Sequence, residues 1–169
     1  LDGAAPAPPI NISSTEKERL DYINLLEPVY QGVFKTVFSS TELPIDIESE
    51  TKTIIGEDGN EIKIYISKPK DMSEDIPALI HLHGGGMAIL SANDTNYIYW
   101  RNKLASKGLV VLGVEFRNIG GAQGNHPFPA GLNDCISALK WVYENKKELG
   151  ISKIILSGES GGGNLSIAT

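Results

Sequence analysis

The closing stretch of the chain, ILSGESGGGNLSIAT, sets one serine, Ser160, among glycines directly after an apolar run. Gly158-Glu159-Ser160-Gly161-Gly162 has the form G-x-S-x-G, the spacing of an acyl-transfer nucleophile on a sharp strand-to-helix turn. Such a turn forces the serine into a strained backbone conformation. The residues two before and two after it then approach neighbouring backbone so closely that a Cβ would clash, and glycine removes the clash. The hydroxyl is left exposed at the positive end of a helix, where developing negative charge is stabilised. Two other readings fit a glycine-rich turn. It could only pack a helix on a sheet, or it could cradle a phosphate. The second is weakened because no G-K-[ST] ending follows and the next residues, Gly162-Gly163-Asn164, bring no cation.

A second cluster, His83-Gly84-Gly85-Gly86, ends the run ALIHLH. Acyl transfer through a tetrahedral intermediate needs donors aimed at a new oxyanion. Main-chain N–H groups of a glycine turn supply them without side-chain obstruction, and the N–H of Gly161 adds a third. Losing one such donor costs about 3 kcal/mol of transition-state stabilisation. His83 is the tempting general base, but an imidazole beside a glycine turn better serves to hydrogen-bond the loop backbone. His81, inside the same run, reads as a core or partner-bonded histidine. His126, before Pro127, belongs to a proline-stiffened loop, with Asp134 in the first turn of the helix that follows.

These residues need elements to carry them. Residues 1–13 are rich in Pro and Ala and read as a loose arm. Thr15 and Glu18 have capping-box spacing and start a helix. Leu26, Tyr30, Val33, Phe34 and Val37 predict a second amphipathic helix over about 25–39. SETKTIIG and NEIKIYISKP alternate apolar and polar residues around the turn EDGN and predict an antiparallel hairpin. IPALIHLHGGG, GLVVLGVEF and ISKIILSG are nearly continuous apolar runs, which suit strands of a parallel sheet buried on both faces. Helices are predicted between them at about 94–107 and 130–147, the second with Leu132, Ile136, Leu139 and Tyr143 on one stripe. Strand alternating with helix is the α/β pattern.

The 169 residues carry a net charge of −6, which argues against nucleic acid as a partner because phosphate neutralisation needs clustered Lys and Arg. No apolar run is long enough to cross a bilayer, so no membrane partner is expected. The single cysteine, Cys135, excludes an intrachain disulfide and fits a reducing, cytoplasmic setting; it reads as a small core residue.

With HLHGGG, VEFRN, HPFPAGLNDC and GESGGGN in this order, the chain resembles the hormone-sensitive-lipase-like branch of the α/β-hydrolase superfamily. Within that branch it looks most like the brefeldin A esterase group of carboxylesterases. The resemblance covers about residues 50–169. It implies an α/β-hydrolase fold, a mostly parallel sheet with helices on both faces. Residues 1–45 would form an N-terminal arm and cap helices, and 46–169 the first half of the catalytic domain. It assigns Ser160 as nucleophile and the N–H groups of Gly85, Gly86 and Gly161 as oxyanion donors. Gly84 shapes the turn, and His83 and Glu159 support it. Two residues depart from the family pattern: Met87 where an aromatic residue is common, and Glu159 where many members have Asp.

In this fold the triad follows the chain order Ser, then Asp or Glu, then His, on loops after later strands. The sequence ends at Thr169, so no residue is assigned to those two roles and the chain is expected to be truncated after the nucleophile turn. A sheet stopping there would expose an apolar edge. The activity implied is that of a serine carboxylesterase acting on small to medium carboxylic esters or lactones, with no metal and no cofactor. The partners implied are an ester substrate and either a missing C-terminal half or a second copy of the chain. Plant gibberellin receptors show that the lineage also yields small-molecule-binding modules. An amidase or peptidase of similar architecture, or an inactive fragment, are further readings.

Overall fold

The computed structural model describes residues 10–169; the Pro/Ala-rich arm lies largely outside them. Helix α1 (Glu16–Phe38) begins at Thr15, whose side chain accepts from the Glu18 amide while Glu18 reaches back to the Thr15 amide, completing the capping box. Where the sequence pattern predicts two helices, one helix of 23 residues runs through Pro28. Nothing between Leu20 and Leu25 supplies a turn, and the proline removes one main-chain donor without ending the rod. The apolar face read from the pattern faces inward only in part: Phe34 packs against Ile89, Leu90 and Tyr97, and Leu26 is half-buried. Tyr30, Val33 and Val37 are exposed, as are Leu25 and Val29.

Strands β1 (Ile47–Ile55) and β2 (Glu61–Pro69) form the expected antiparallel hairpin. Its turn closes through the Gly56 amide to the Asn60 carbonyl, with Gly59 at φ 78°. Strands β3 (Ile76–Leu82), β4 (Val110–Val114) and β5 (Ile151–Gly158) complete a five-stranded sheet in the order β1-β2-β4-β3-β5. The sheet is mixed. β2 meets β4 antiparallel, while β3 pairs parallel with both β4 and β5.

Register follows burial. Ile66, Leu112, Ile80 and Leu156 stand in one row across four strands. The first three of these are fully buried, which fixes the slip of each strand against its neighbour. Helix α3 (Ala130–Glu144) covers one face, bringing Cys135, Ala138 and Val142 into the core with Ile62, Ile64 and Ile66. Of the stripe read from the sequence, Leu132 and Leu139 pack half-buried against this core, Ile136 is half-buried and Tyr143 is exposed. Helix α2 (Thr95–Ala105) covers the other face, with the Arg101 guanidinium 5.4 Å from the Tyr65 ring centre. Helix α4 (Gly161–Ala168) leaves the end of β5.

The strands differ in cover. β4 is buried throughout. Among the described residues β5 pairs with β3 alone, and Ile155 is 49% exposed, where its apolar run predicts a strand buried on both faces.

One polar knot ties the loop after β4 to α3 and the hairpin. Asp134, 1% exposed, accepts from the Arg117 amide at 2.8 Å, from its guanidinium at 2.8 and 2.9 Å, and from Asn60 at 3.0 Å. Removing one partner of a buried pair costs about 3–5 kcal/mol because the other charge stays uncompensated. Asp134→Asn is therefore expected to lower stability by about 3 kcal/mol, read as a urea midpoint shift at unchanged slope. Asp58→Asn, which removes only the exposed arm of the same Arg117 contact, should leave the midpoint near that of the parent.

Candidate active site

Ser160 sits where β5 hands over to α4, with φ 52° and ψ −120°, a conformation L residues rarely adopt. The residue is exposed. The surrounding glycines are there because backbone meets backbone. A methyl group on Gly162 would land on the carbonyl oxygens of Leu82 and His83, and one on Gly158 would strike Gly162 and the Leu82 carbonyl. Leu82 pairs with Gly158 across β3 and β5, so the end of β3 is the surface on which the turn rests.

The second glycine run reaches the same place. A methyl group on Gly161 would lie 2.9 Å from Gly86 Cα and 2.9 Å from the Met87 amide nitrogen. Gly85, Gly86, Met87 and Leu90 all have positive φ, at 98°, 65°, 61° and 76°. Met87 and Leu90 hold this conformation without glycine's freedom, which requires outside support. Gly161 opens α4, so its amide has no intrahelical acceptor. The amides of Gly85 and Gly86 have no main-chain acceptor among the described residues.

Glu159 joins the two bends. Its Oε1 accepts from the Gly84 amide at 2.7 Å, and its Oε2 lies 2.7 Å from His81 Nε2. The Tyr97 hydroxyl, from α2, accepts from the same Gly84 amide at 3.2 Å and also bonds to Glu159. Partial burial opposes the charge on Glu159. The bonds from His81 and Tyr97 and the Gly84 amide together outweigh it and hold the carboxyl below its usual range.

The three histidines take three different places. His83 is fully buried, stacked on Phe116 with ring centres 4.1 Å apart. Its Nδ1–H donates to the Gly84 carbonyl at 2.7 Å. Burial pushes its pKa down to about 4, only partly countered by that carbonyl, so the ring is neutral at pH 7. His81 is the partner of Glu159. His126 lies in the loop before α3, its amide donating to the Asn118 carbonyl at 3.0 Å. No histidine or carboxylate hydrogen-bonds to the Ser160 side chain among the described residues. Cys135 is buried in the core, where burial pushes its thiol far above the usual range and leaves it inert. No helix among the described residues is long and apolar enough to cross a membrane.

Sequence reasoning placed the serine and the glycines but missed the groups that hold them. Tyr97 and Glu27 carry no motif, and Asn118, the last residue of VEFRN, was given no role of its own. His81 and Glu159 are 78 residues apart and meet only because β3 and β5 are neighbours.

A serine on a strand–helix turn, facing a glycine loop after a neighbouring strand, is the arrangement of α/β hydrolases. Comparison with known proteins agrees. The BD-FAE family model matches residues 63–169. Carboxylesterase NlhH of Mycobacterium tuberculosis is 34% identical over 128 residues, covering 74% of this chain and 38% of that protein. Lipase 2 of Moraxella sp. (strain TA144) is 32% identical over 158 residues, 89% of this chain and 35% of that protein. The solved structure of brefeldin A esterase, a bacterial homologue of human hormone-sensitive lipase, is 40% identical with a TM-score of 0.88, covering 99% of this chain and 46% of that one. The chain belongs to the BD-FAE family, on the hormone-sensitive-lipase-like branch of the α/β hydrolases. It spans less than half the length of these relatives.

Two outcomes follow from the geometry. Gly162→Ala should destabilise by more than about 3 kcal/mol, the upper range for overpacking, because the obstructing atoms are strand backbone. Gly163→Ala, whose added methyl would stand 3.2 Å from the Gly158 carbonyl, should cost far less; thermal melts of the pair check this. The Glu159 contribution is whole above the ordinary carboxylate value of 4.5 and fades as pH falls below it, through the lowered folded-state value. Below pH 4.5 the parent should therefore lose stability more steeply than Glu159→Gln, measured by urea unfolding at several pH values.

Proposed function

We propose that this chain supplies the nucleophile and the oxyanion donors of a serine carboxylesterase acting on small to medium carboxylic esters or lactones. Ser160 Oγ attacks the ester carbonyl carbon, and the carbonyl π electrons move onto oxygen. That oxyanion is held by the N–H groups of Gly85, Gly86 and Gly161. Collapse expels the alcohol, and water then hydrolyses the acyl-enzyme. The proton of Ser160 passes to an imidazole, and an acid orients that ring. Both come from residues other than those described, on a further segment or another chain that extends the sheet at β5. Gly84, His83 and Glu159 act as supports: Glu159 ties the loop to the nucleophile turn, and neutral His83 props the glycine bend from beneath.

The observation that supports this reading is the abutment of Gly161 on Gly86, two bends whose Gly85, Gly86 and Gly161 amides have no main-chain acceptor among the described residues, next to an exposed serine at positive φ. The named relatives, carboxylesterases and a lipase, support the same class. A second reading, a small-molecule-binding module on this scaffold, is favoured by one fact only: Ser160 has no histidine beside it among the described residues.

A fluorophosphonate probe separates the two. The chain alone should label weakly or not at all. A longer form with the proton-transfer residues should label at Ser160, and Ser160→Ala should abolish the signal. Absence of labelling in every form would favour the binding module. Turnover of p-nitrophenyl acetate by the short chain at enzyme-like rates would mean that the proton acceptor lies within these residues.

A further inference from the structure

Of the 23 residues of α1, the only buried one is a carboxylate, Glu27, at 5% exposure. Its Oε1 accepts from the Leu90 amide at 2.8 Å and its Oε2 from the Ala122 amide at 2.6 Å. The fit is close. Gly121, at φ 67°, leaves a space in which a methyl group would stand 2.6 Å from Oε2 and 2.7 Å from Oε1. Gly120 makes room in the same way for Ile23 of α1, at 2.8 Å. A glycine pair is thus shaped to the two α1 side chains it receives.

Leu90 ends the run that starts at Gly85, in which four of six residues have positive φ. This backbone joins no ladder, so its groups need partners from elsewhere. Glu159 takes the Gly84 amide, and the Ile119 amide donates to the Met87 carbonyl at 2.9 Å. At Leu90, Glu27 takes the N–H while Asn118 Nδ2 donates to the carbonyl at 2.9 Å. Non-glycine residues at positive φ cost about 1–3 kcal/mol each and persist only where the surroundings over-determine them. Glu27 is one of those determinants, and it reaches the loop from a different element.

Simple docking of α1 does not account for a buried carboxylate. Burying the charge costs desolvation that an aliphatic side chain avoids, and the helix leaves Leu25, Val29, Val33 and Val37 exposed. The remaining long-range hydrogen bonds of α1 join side chains only: Gln31 Nε2 donates to Asp94 Oδ1, whose other oxygen takes the Ser91 amide, and Asn125 Nδ2 donates to Glu16 Oε1. What a carboxylate does that an aliphatic group cannot is accept two main-chain amides at once from two different loops.

We infer that Glu27 is a positioning residue for the esterase reaction. By bonding the Leu90 and Ala122 amides, it holds the far end of the Gly84–Leu90 loop and so sets the direction of the Gly85 and Gly86 amides. This rests on the esterase reading given above. Displacing catalytic donors by about 1 Å is enough to cost on the order of a hundredfold in rate. Glu27→Ala orphans both amides, whereas Glu27→Gln keeps one carbonyl acceptor.

Hydrogen exchange by mass spectrometry on the chain tests the structural half without needing turnover. Glu27→Ala should raise exchange in the peptide spanning 84–91 by about tenfold or more, the scale on which losing about 1.4 kcal/mol of local protection reads out. Glu27→Gln should raise it less, peptides of β4 and α3 should not change, and Lys17→Ala, on the exposed side of α1, should match the parent. In the form that turns over p-nitrophenyl acetate, Glu27→Ala should lower kcat about tenfold or more with KM within about twofold, and Glu27→Gln should recover part of the loss. Unchanged exchange at 84–91, or exchange rising equally over the whole chain, overturns the inference. So does a loosened loop with unchanged kcat. If Ser160→Ala leaves turnover intact, the esterase reading has failed, and the exchange result still decides whether Glu27 holds the loop.

Discussion

The site depends on one steric constraint, the approach of the first turn of α4 to the last residues of β3. Gly162 lies against the Leu82 and His83 carbonyls, Gly158 against Gly162 and Leu82, and Gly161 against Gly86. No side chain fits at any of these contacts. Because backbone has few degrees of freedom, packing it on backbone fixes the two bends relative to each other more tightly than side-chain packing would. The apolar row Ile66, Leu112, Ile80 and Leu156 then matters to the site, for it sets the register that puts Gly158 opposite Leu82. A slip of one residue would place a side chain where only glycine is admissible.

Beyond the strand ends the chain is irregular, and carboxylates replace the ladder as acceptors. Glu159 takes the Gly84 amide, Glu27 those of Leu90 and Ala122, Asp94 that of Ser91, and Asp134 that of Arg117. Each is a charge-assisted bond to main chain, stronger than a neutral one and directional. The cost shows where compensation is weaker. Burial pushes both Asp94 and Glu115 above the usual carboxylate range despite bonds that oppose it. Of these carboxylates, Asp134 and Glu159 also meet a basic side chain directly.

Neutral His83 completes this division. Its pKa of about 4 keeps positive charge from beneath the loop, and its ring fills a volume against Phe116 while its Nδ1–H satisfies the Gly84 carbonyl. Glu159 on one side and His83 on the other thereby bond both polar groups of Gly84, the amide and the carbonyl. That fixes the peptide from which the Gly85–Gly86 bend departs.

How much of this was legible in the sequence follows from the range of each interaction. Glycines forced by local steric contact mark themselves, so the serine turn and the glycine loop could be read before any fold was known. Apolar alternation gave the hairpin, and continuous apolar runs gave the parallel strands. Periodicity was less reliable for helices. In α3 the buried side includes Asp134 and Ala138, which a hydrophobic stripe passes over, and α1 buries Glu27 while its valines stay exposed. Both failures have the same origin. A hydrophobicity pattern scores a carboxylate as solvent-facing, yet Asp134 lies 74 residues from Asn60 and Glu27 lies 95 from Ala122. The partner that makes burial tolerable is therefore invisible in any local window. Where irregular backbone is plentiful, the acidic residues placed outside by pattern are those with most reason to be inside, because unpaired amides are the groups they satisfy best.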